Sequence, residues 1–378
     1  MKQRIDKIVG VMLLWLAISF SAPTPARAQH GDWPLGTDGL LSGQQTPEGI
    51  LYQNLWSWYD ASNSGFLQTG NLKCGPLRGR LCLSANLSAS GSLNMFVDQN
   101  IISVTTPFKI LGANYGFLID VPFAIVDASG AATVQPVLNT PRESLALNTF
   151  GTSGGSTKGS ITDIYFQPID LGWHFKQFDA IATGGFLAPT GPYNQNARLN
   201  IGFGHWSGEL GLGGIAYADP ERTWALSIFT HVILYASQMG RNYTLGDQVP
   251  FEWAASKSFE LHNDIFKELT LGPAGYAQWQ ISNNQINLNP TTGIGQAALS
   301  TLEDTHSQVY AAGPAVQLLT KYGLFELRYY DEFGNKATPS GQQLMFSYAL
   351  FGKPGQTRAG LHAKAMIQEA LKRTKVIS

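Results

Sequence analysis

Residues 114–126 alternate with a period of two. Tyr115, Phe117, Ile119, Val121, Phe123 and Ile125 fall on one side, and Asn114, Gly116, Leu118 and Asp120 fall on the other. A helix would space its apolar residues three and four apart, so this is a strand pattern. Two later segments repeat it. In 323–333, Phe325, Leu327 and Tyr329 oppose Glu326, Arg328 and Tyr330; in 343–351, Leu344, Phe346, Tyr348 and Leu350 oppose Gln343, Met345, Ser347 and Ala349. Twelve such strands are predicted, near 49–60, 93–106, 112–127, 159–171, 176–189, 201–218, 222–237, 249–261, 268–282, 307–319, 323–333 and 341–351. Their connections alternate in length. Those at 61–92, 128–158, 190–200, 238–248, 283–306 and 334–340 are the long class. Those between are short turns rich in Pro, Asp, Lys and Thr, such as Thr106-Pro107-Phe108-Lys109 and Asp219-Pro220-Glu221.

An even number of antiparallel strands, with short turns at one end and long loops at the other, is the layout of a closed transmembrane β-barrel. Lipid offers no partner to a backbone N–H or C=O, so a sheet that enters it must close on itself. The expected fold is therefore all-β: an antiparallel barrel of about 12 strands with short periplasmic turns and long extracellular loops. Composition agrees. Only 13% of the 378 residues are charged, about half the usual 25%, because a charge on the lipid face costs about 2–4 kcal/mol. A mean hydropathy of −0.06 with 44% apolar residues excludes disorder. Past residue 30 no apolar run approaches the roughly 20 residues of a membrane helix. Coiled coils, collagen and strongly basic nucleic-acid binders are excluded by the same numbers. A soluble β-sandwich or propeller also alternates, but requires neither the paired long and short connections nor so few charges.

The chain divides into four parts. Residues 1–28 carry Lys2, Arg4 and Lys7 before an apolar stretch, then Ala26-Arg27-Ala28, which is a secretory signal with cleavage expected between Ala28 and Gln29. Cleavage would leave 21 basic and 25 acidic residues, a net charge of −4. Residues 29–48 form a Gly- and Pro-containing segment that either plugs the lumen or leaves it open. Residues 49–351 are the barrel, and 352–378 are a basic tail of net charge +5. Its role as a solvated extension or a lipid-contacting arm is open. Cys74 and Cys82, the two cysteines, are either a small disulfide loop in an oxidising compartment or free thiols.

Several strings resemble the outer-membrane β-barrel family of the phenol meta-pathway degradation type, also called SphA-like proteins. They are Gly36-Thr37-Asp38-Gly39 with Ser42-Gly43 and Pro47-Glu48-Gly49, then Trp56-Ser57-Trp58-Tyr59, then Thr106 to Gly112. Next come Tyr165-Phe166-Gln167-Pro168-Ile169 with Gly172-Trp173-His174, and Ala188-Pro189-Thr190-Gly191-Pro192-Tyr193 with Asn200-Ile201-Gly202 and Trp206. Gly313-Pro314 and Arg328-Tyr329-Tyr330 with Glu332-Phe333-Gly334 complete the series. The resemblance implies an outer-membrane channel admitting hydrophobic compounds, linked to aromatic catabolism. The 27 residues after Phe351 depart from the usual aromatic terminus of such barrels.

A twelve-strand lumen is narrow, lying between filled eight-strand barrels and open porins. Residues expected to line it are Asp120, Asp163, Tyr165, Gln167, His231, Glu252, Tyr276, Gln278, Glu326 and Arg328. This mixture suits passive uptake of a small hydrophobic or aromatic solute. Glu326 and Arg328 are alternatively a structural ion pair. Expected partners are outer-membrane lipid, the solute and the barrel-assembly machinery, with no nucleic acid. No cofactor, metal site or catalytic residue is expected: no HExxH, nucleophile elbow or phosphate loop occurs. Two other readings remain. One is a non-transporting structural or surface-interaction barrel. The other is a lipase-like hydrolase built on His205 and Ser207, for which no orienting third residue or oxyanion donor is evident. The Gly-Gly pairs at 184–185 and 213–214 are expected to mark tight strand curvature.

Overall fold

The computed structural model describes residues 34–61, 70–77, 81–139, 144–146, 150–197, 199–286 and 306–352, and their side chains outside 70–90, 131–153 and 286. Twelve strands build the barrel wall. They are β1 (Gly49–Asp60), β2 (Leu81–Ile110), β3 (Ala113–Asn139), β4 (Ile164–His174), β5 (Phe178–Ala188) and β6 (Ser207–Tyr217). The chain continues through β7 (Trp224–Tyr235), β8 (Gln248–Glu260), β9 (Phe266–Gln280), β10 (Gln308–Thr320), β11 (Leu324–Lys336) and β12 (Gln342–Gly352). Each strand pairs antiparallel with its sequence neighbours, and β12 returns to β1 in the register Ile50↔Gly352 through Asp60↔Gln342. The sheet is therefore closed, which removes the edges that lipid would leave unpaired. Among the described residues the only helix is one 3-10 turn, Gly39–Leu41, and none is long and apolar enough to cross a membrane.

The side-chain period decides which face is which. On β7, Trp224, Leu226, Ile228, Val232 and Leu234 are exposed, whereas Ser227, Phe229, His231 and Ile233 between them are 1–5% exposed. The greasy row of each strand looks outward and the polar row is enclosed, the reverse of a soluble core. Exposed rings gather at both ends: Phe108, Phe175, Trp224 and Tyr322 near the short turns, and Trp58, Trp206 and Phe333 toward the long loops. Such aromatic girdles mark the two interfaces of a bilayer.

Two differences from the sequence-based expectation concern the long-loop end. β2 begins at Leu81, well before the expected 93, and β3 runs to Asn139, well past the expected 127, and the two pair continuously from Cys82↔Asn139 down to Thr105↔Gly116. Gly70–Leu77 joins the outer edge of β2, and Phe150–Ile161 pairs with β3 above β4. Segments expected to be loops at 61–92 and 128–158 thus carry a sheet that extends the barrel wall. The sixth strand starts at Ser207 in place of 201, because the preceding residues bend and Leu199 and Ile201 pack against Tyr59, Leu93 and Val126. The backbone of Cys82 lies opposite Pro76, while the side chains of Cys74 and Cys82 lie outside those described. So do the signal segment, its Ala28–Gln29 junction and the basic tail after Gly352.

Candidate functional site

The enclosed space is partly filled by residues 34–48. Residues 34–48 enter the barrel and fold into the 3-10 turn, with Leu35 and Leu40 buried against Leu55, Ala254, Tyr276, Tyr330 and Met345. Burial of two leucines is worth about 1.5–3 kcal/mol each, and hydrogen bonds fix the register. Glu252 on β8 accepts the backbone N–H of Gly36 at 2.8 Å and of Asp38 at 3.1 Å, one on each carboxylate oxygen. Glu326 on β11 accepts the N–H of Leu40 at 3.0 Å. Arg328 donates to the carbonyls of Gly36 and Thr37 at 2.8 and 2.7 Å. The Glu326 and Arg328 side chains also lie 3.8 Å apart, so the pair serves the plug as well as itself.

Past the turn the segment crosses to the other wall. Gln44 donates to Asp179 at 3.0 Å, Gln45 to Asp170 at 3.0 Å and to the Asn114 carbonyl at 3.0 Å, and Thr46 meets Thr105 at 2.9 Å. Two glycines make the path fit. Gly39 has a φ of +62°, and any Cβ there would strike the Glu326 carboxylate and Arg328 guanidinium. Gly43 has a φ of +80°, and its Cβ would strike the Gly214 nitrogen and Ile228 carbonyl oxygen. Gly213 is part of the same contact, since a Cβ on it would sit 2.9 Å from the Gly43 α-carbon. The pair at 213–214 is therefore a site of close backbone approach, which corrects the expectation of curvature alone.

The first half of the plug leans on β8–β11, and a cavity of about 320 Å³ remains beside it, walled largely by β1–β7. Its lining mixes Leu51, Val97, Leu118, Leu187 and Phe229 with glutamine, serine and carboxylate side chains. A hydrogen-bonded hub stands on one flank. The Tyr165 hydroxyl is shared between Glu209 Oε1 and Gln167 Oε1, each at 3.1 Å, and the same Glu209 oxygen meets His231 Nδ1 at 2.5 Å. The His231 ring sits edge-on to Phe229, 4.1 Å between centroids. Across from it, Gln99 donates to Asp120 at 2.8 Å.

The ten residues picked from the sequence are all buried and fall into different roles. Asp120, Asp163, Tyr165, Gln167, Tyr276 and Glu326 border the cavity. Glu252 and Arg328 hold the plug. His231 stands behind Glu209, and Gln278 donates to Gln248. Asp163 also anchors a loop. Its two oxygens accept the N–H of Gly191 at 2.7 Å and of Phe203 at 2.6 Å, which pins the connection after β5. Tyr276 and Tyr59 both donate to Glu332, at 2.6 and 2.8 Å. His205 packs edge-on to Tyr235, 5.5 Å between centroids, while Ser207 borders the cavity.

Sequence reasoning missed Asp38, Gln44, Gln45, Gln99, Asp170, Asp179 and Glu209. Glu209 was within reach, since it lies two residues from Ser207 on the same strand face. The plug residues were not, because no periodicity marks a segment without regular structure.

A closed antiparallel cylinder with lipid-facing apolar rows, two aromatic girdles and an internal plug is the architecture of the outer-membrane channel class. Residues 83–348 match the family described as "Putative MetA-pathway of phenol degradation", and the chain belongs to that family. The fold is similar to the COG4313 outer membrane channel from Pseudomonas putida F1. That likeness has a TM-score of 0.54 at 12% identity and covers 81% of this chain and 96% of that one. A Pseudomonas aeruginosa FadL homologue aligns over 80% of this chain and 89% of its own at 8% identity, with a TM-score of 0.32. No curated protein matches the chain.

Proposed function

We propose that the protein is a passive channel of the Gram-negative outer membrane for small hydrophobic or aromatic solutes, acting without cofactor after removal of residues 1–28. The carrying observation is the cavity beside the plug. Its volume of about 320 Å³ is roughly twice that of an apolar cavity known to bind benzene, about 150 Å³. Apolar side chains offer ring-sized contact, and amides and hydroxyls stand where a polar head would need hydration. The solute enters from the long-loop end, the extracellular side of such barrels, and passes between the plug and the β1–β7 wall. Membrane lipid would surround the barrel and the barrel-assembly machinery would insert it. Membership of a family named for phenol degradation supports an aromatic solute.

The plug favours a second reading, a sealed barrel acting through its extended long-loop sheet. Uptake assays with the purified barrel in liposomes separate the two. The channel reading expects aromatic solutes of low lipid permeability to enter faster than in protein-free vesicles. Entry no faster than in those vesicles would leave the sealed barrel.

A further inference from the structure

Among the described residues, six carboxylates border the cavity, Asp38, Asp120, Asp163, Asp170, Glu209 and Glu326, and no lysine, arginine or histidine does. Buried bases lie close by but face elsewhere. Arg328 donates through Nη1 to the plug carbonyls and has its Nε 3.8 Å from Glu326, and His231 meets Glu209. Asp120 and Asp170 are held by the side-chain amides of Gln99 and Gln45. An amide orients a carboxylate without neutralising it.

Independent of the carboxylates, three uncharged side chains on the cavity, Gln45, Gln99 and Thr183, carry a side-chain oxygen that nothing in the chain satisfies, Oε1 in both glutamines. Thr183 borders the cavity, is 6% exposed, and its hydroxyl oxygen has no partner. Gln99 borders it too, is 3% exposed, and its Oε1 has no partner once the amide nitrogen is spent on Asp120. Buried polar atoms are almost always paired, so the glutamine oxygens mark places where a passing molecule supplies the donor, while the Thr183 hydroxyl can meet either a donor or an acceptor.

We infer that the cavity selects by charge: it accepts small solutes that bring a positive charge or an N–H or O–H donor, and turns away anions of the same size. This rests on the channel reading and narrows it. An anion would shed its water beside the Asp120 and Asp170 carboxylates with no lysine, arginine or histidine on the lining to receive it, and like charges repel more strongly there than in water. A cation or a donor finds acceptors on the β2, β3, β5 and β6 walls. Rings of carboxylates produce the same preference in other pores.

The test uses the full chain in proteoliposomes with two permanently charged probes of matched shape, phenyltrimethylammonium and benzenesulfonate. The cation is expected to enter on the order of tenfold faster than the anion. Asp120→Asn is expected to lower that ratio by about threefold or more. Ser347→Lys, which adds a base to the β12 wall of the cavity opposite Glu326, is expected to do the same. Heat-modifiable gel migration verifies that each variant is folded. Equal entry of the two probes, or a ratio unmoved in both variants, overturns charge selection and leaves the channel standing. Entry of neither probe above protein-free vesicles overturns the channel and this inference together.

Discussion

Glu252 does for the plug what a strand neighbour does for a strand: it satisfies two backbone N–H groups that would otherwise be enclosed without a partner. Leaving a buried donor unpaired costs about 1–3 kcal/mol, so Glu252→Ala is expected to loosen the plug sharply. Glu252→Gln, which keeps one acceptor oxygen, should loosen it less. The measurement is the labelling rate of a cysteine placed at Thr37 by a water-soluble maleimide, which should rise at least tenfold in the alanine variant and only slightly in the glutamine one. An unchanged rate in both would mean that Arg328, Glu326 and the buried leucines hold the segment unaided. Glycine matters at this scale for a steric reason. Gly39 and Gly43 lie where the plug backbone touches wall side chains and wall backbone, with φ values that a Cβ would strain.

The strands were legible in the sequence wherever they pass through lipid, because one face must be apolar and the other need not be. β7 illustrates it: Leu226, Ile228, Val232 and Leu234 alternate with Ser227, Phe229, His231 and Ile233, and the structure follows that alternation. Outside the membrane the constraint vanishes. The stretches 81–92 and 128–139 are mainly Ser, Ala, Gly, Thr and Val without sharp alternation, so they read as loops although they pair strand to strand. The plug is still less legible, being recognised by its backbone groups, which every residue carries. The outward rows give a direct check. Ile228→Arg on the lipid face is expected to cost about 2–4 kcal/mol if near the midplane, read from folding equilibria in lipid vesicles. Ser227→Ala on the inner face should cost under about 1 kcal/mol. Comparable costs for the two would contradict the assignment of faces.

For the whole molecule, the plug and the cavity share one cross-section, so the width available to a solute is set by where residues 34–46 rest. Deleting those residues is expected to raise single-channel conductance several-fold in planar bilayers while the barrel still shows heat-modifiable migration. A conductance equal to that of the intact chain would place the constriction elsewhere, in the loops that cap the long end. The connections that bind the plug also span most of the polypeptide: Gly36 meets Glu252 across 216 positions and Arg328 across 292. Closing such long loops is entropically slow, and native contacts reward it only once both ends exist. Residues 36–40 therefore gain these partners only once the eighth and eleventh staves stand. A cylinder that seals with its cork misplaced would keep Arg328 walled in without those carbonyls, so the latch rewards only assemblies in which beginning and end have found each other.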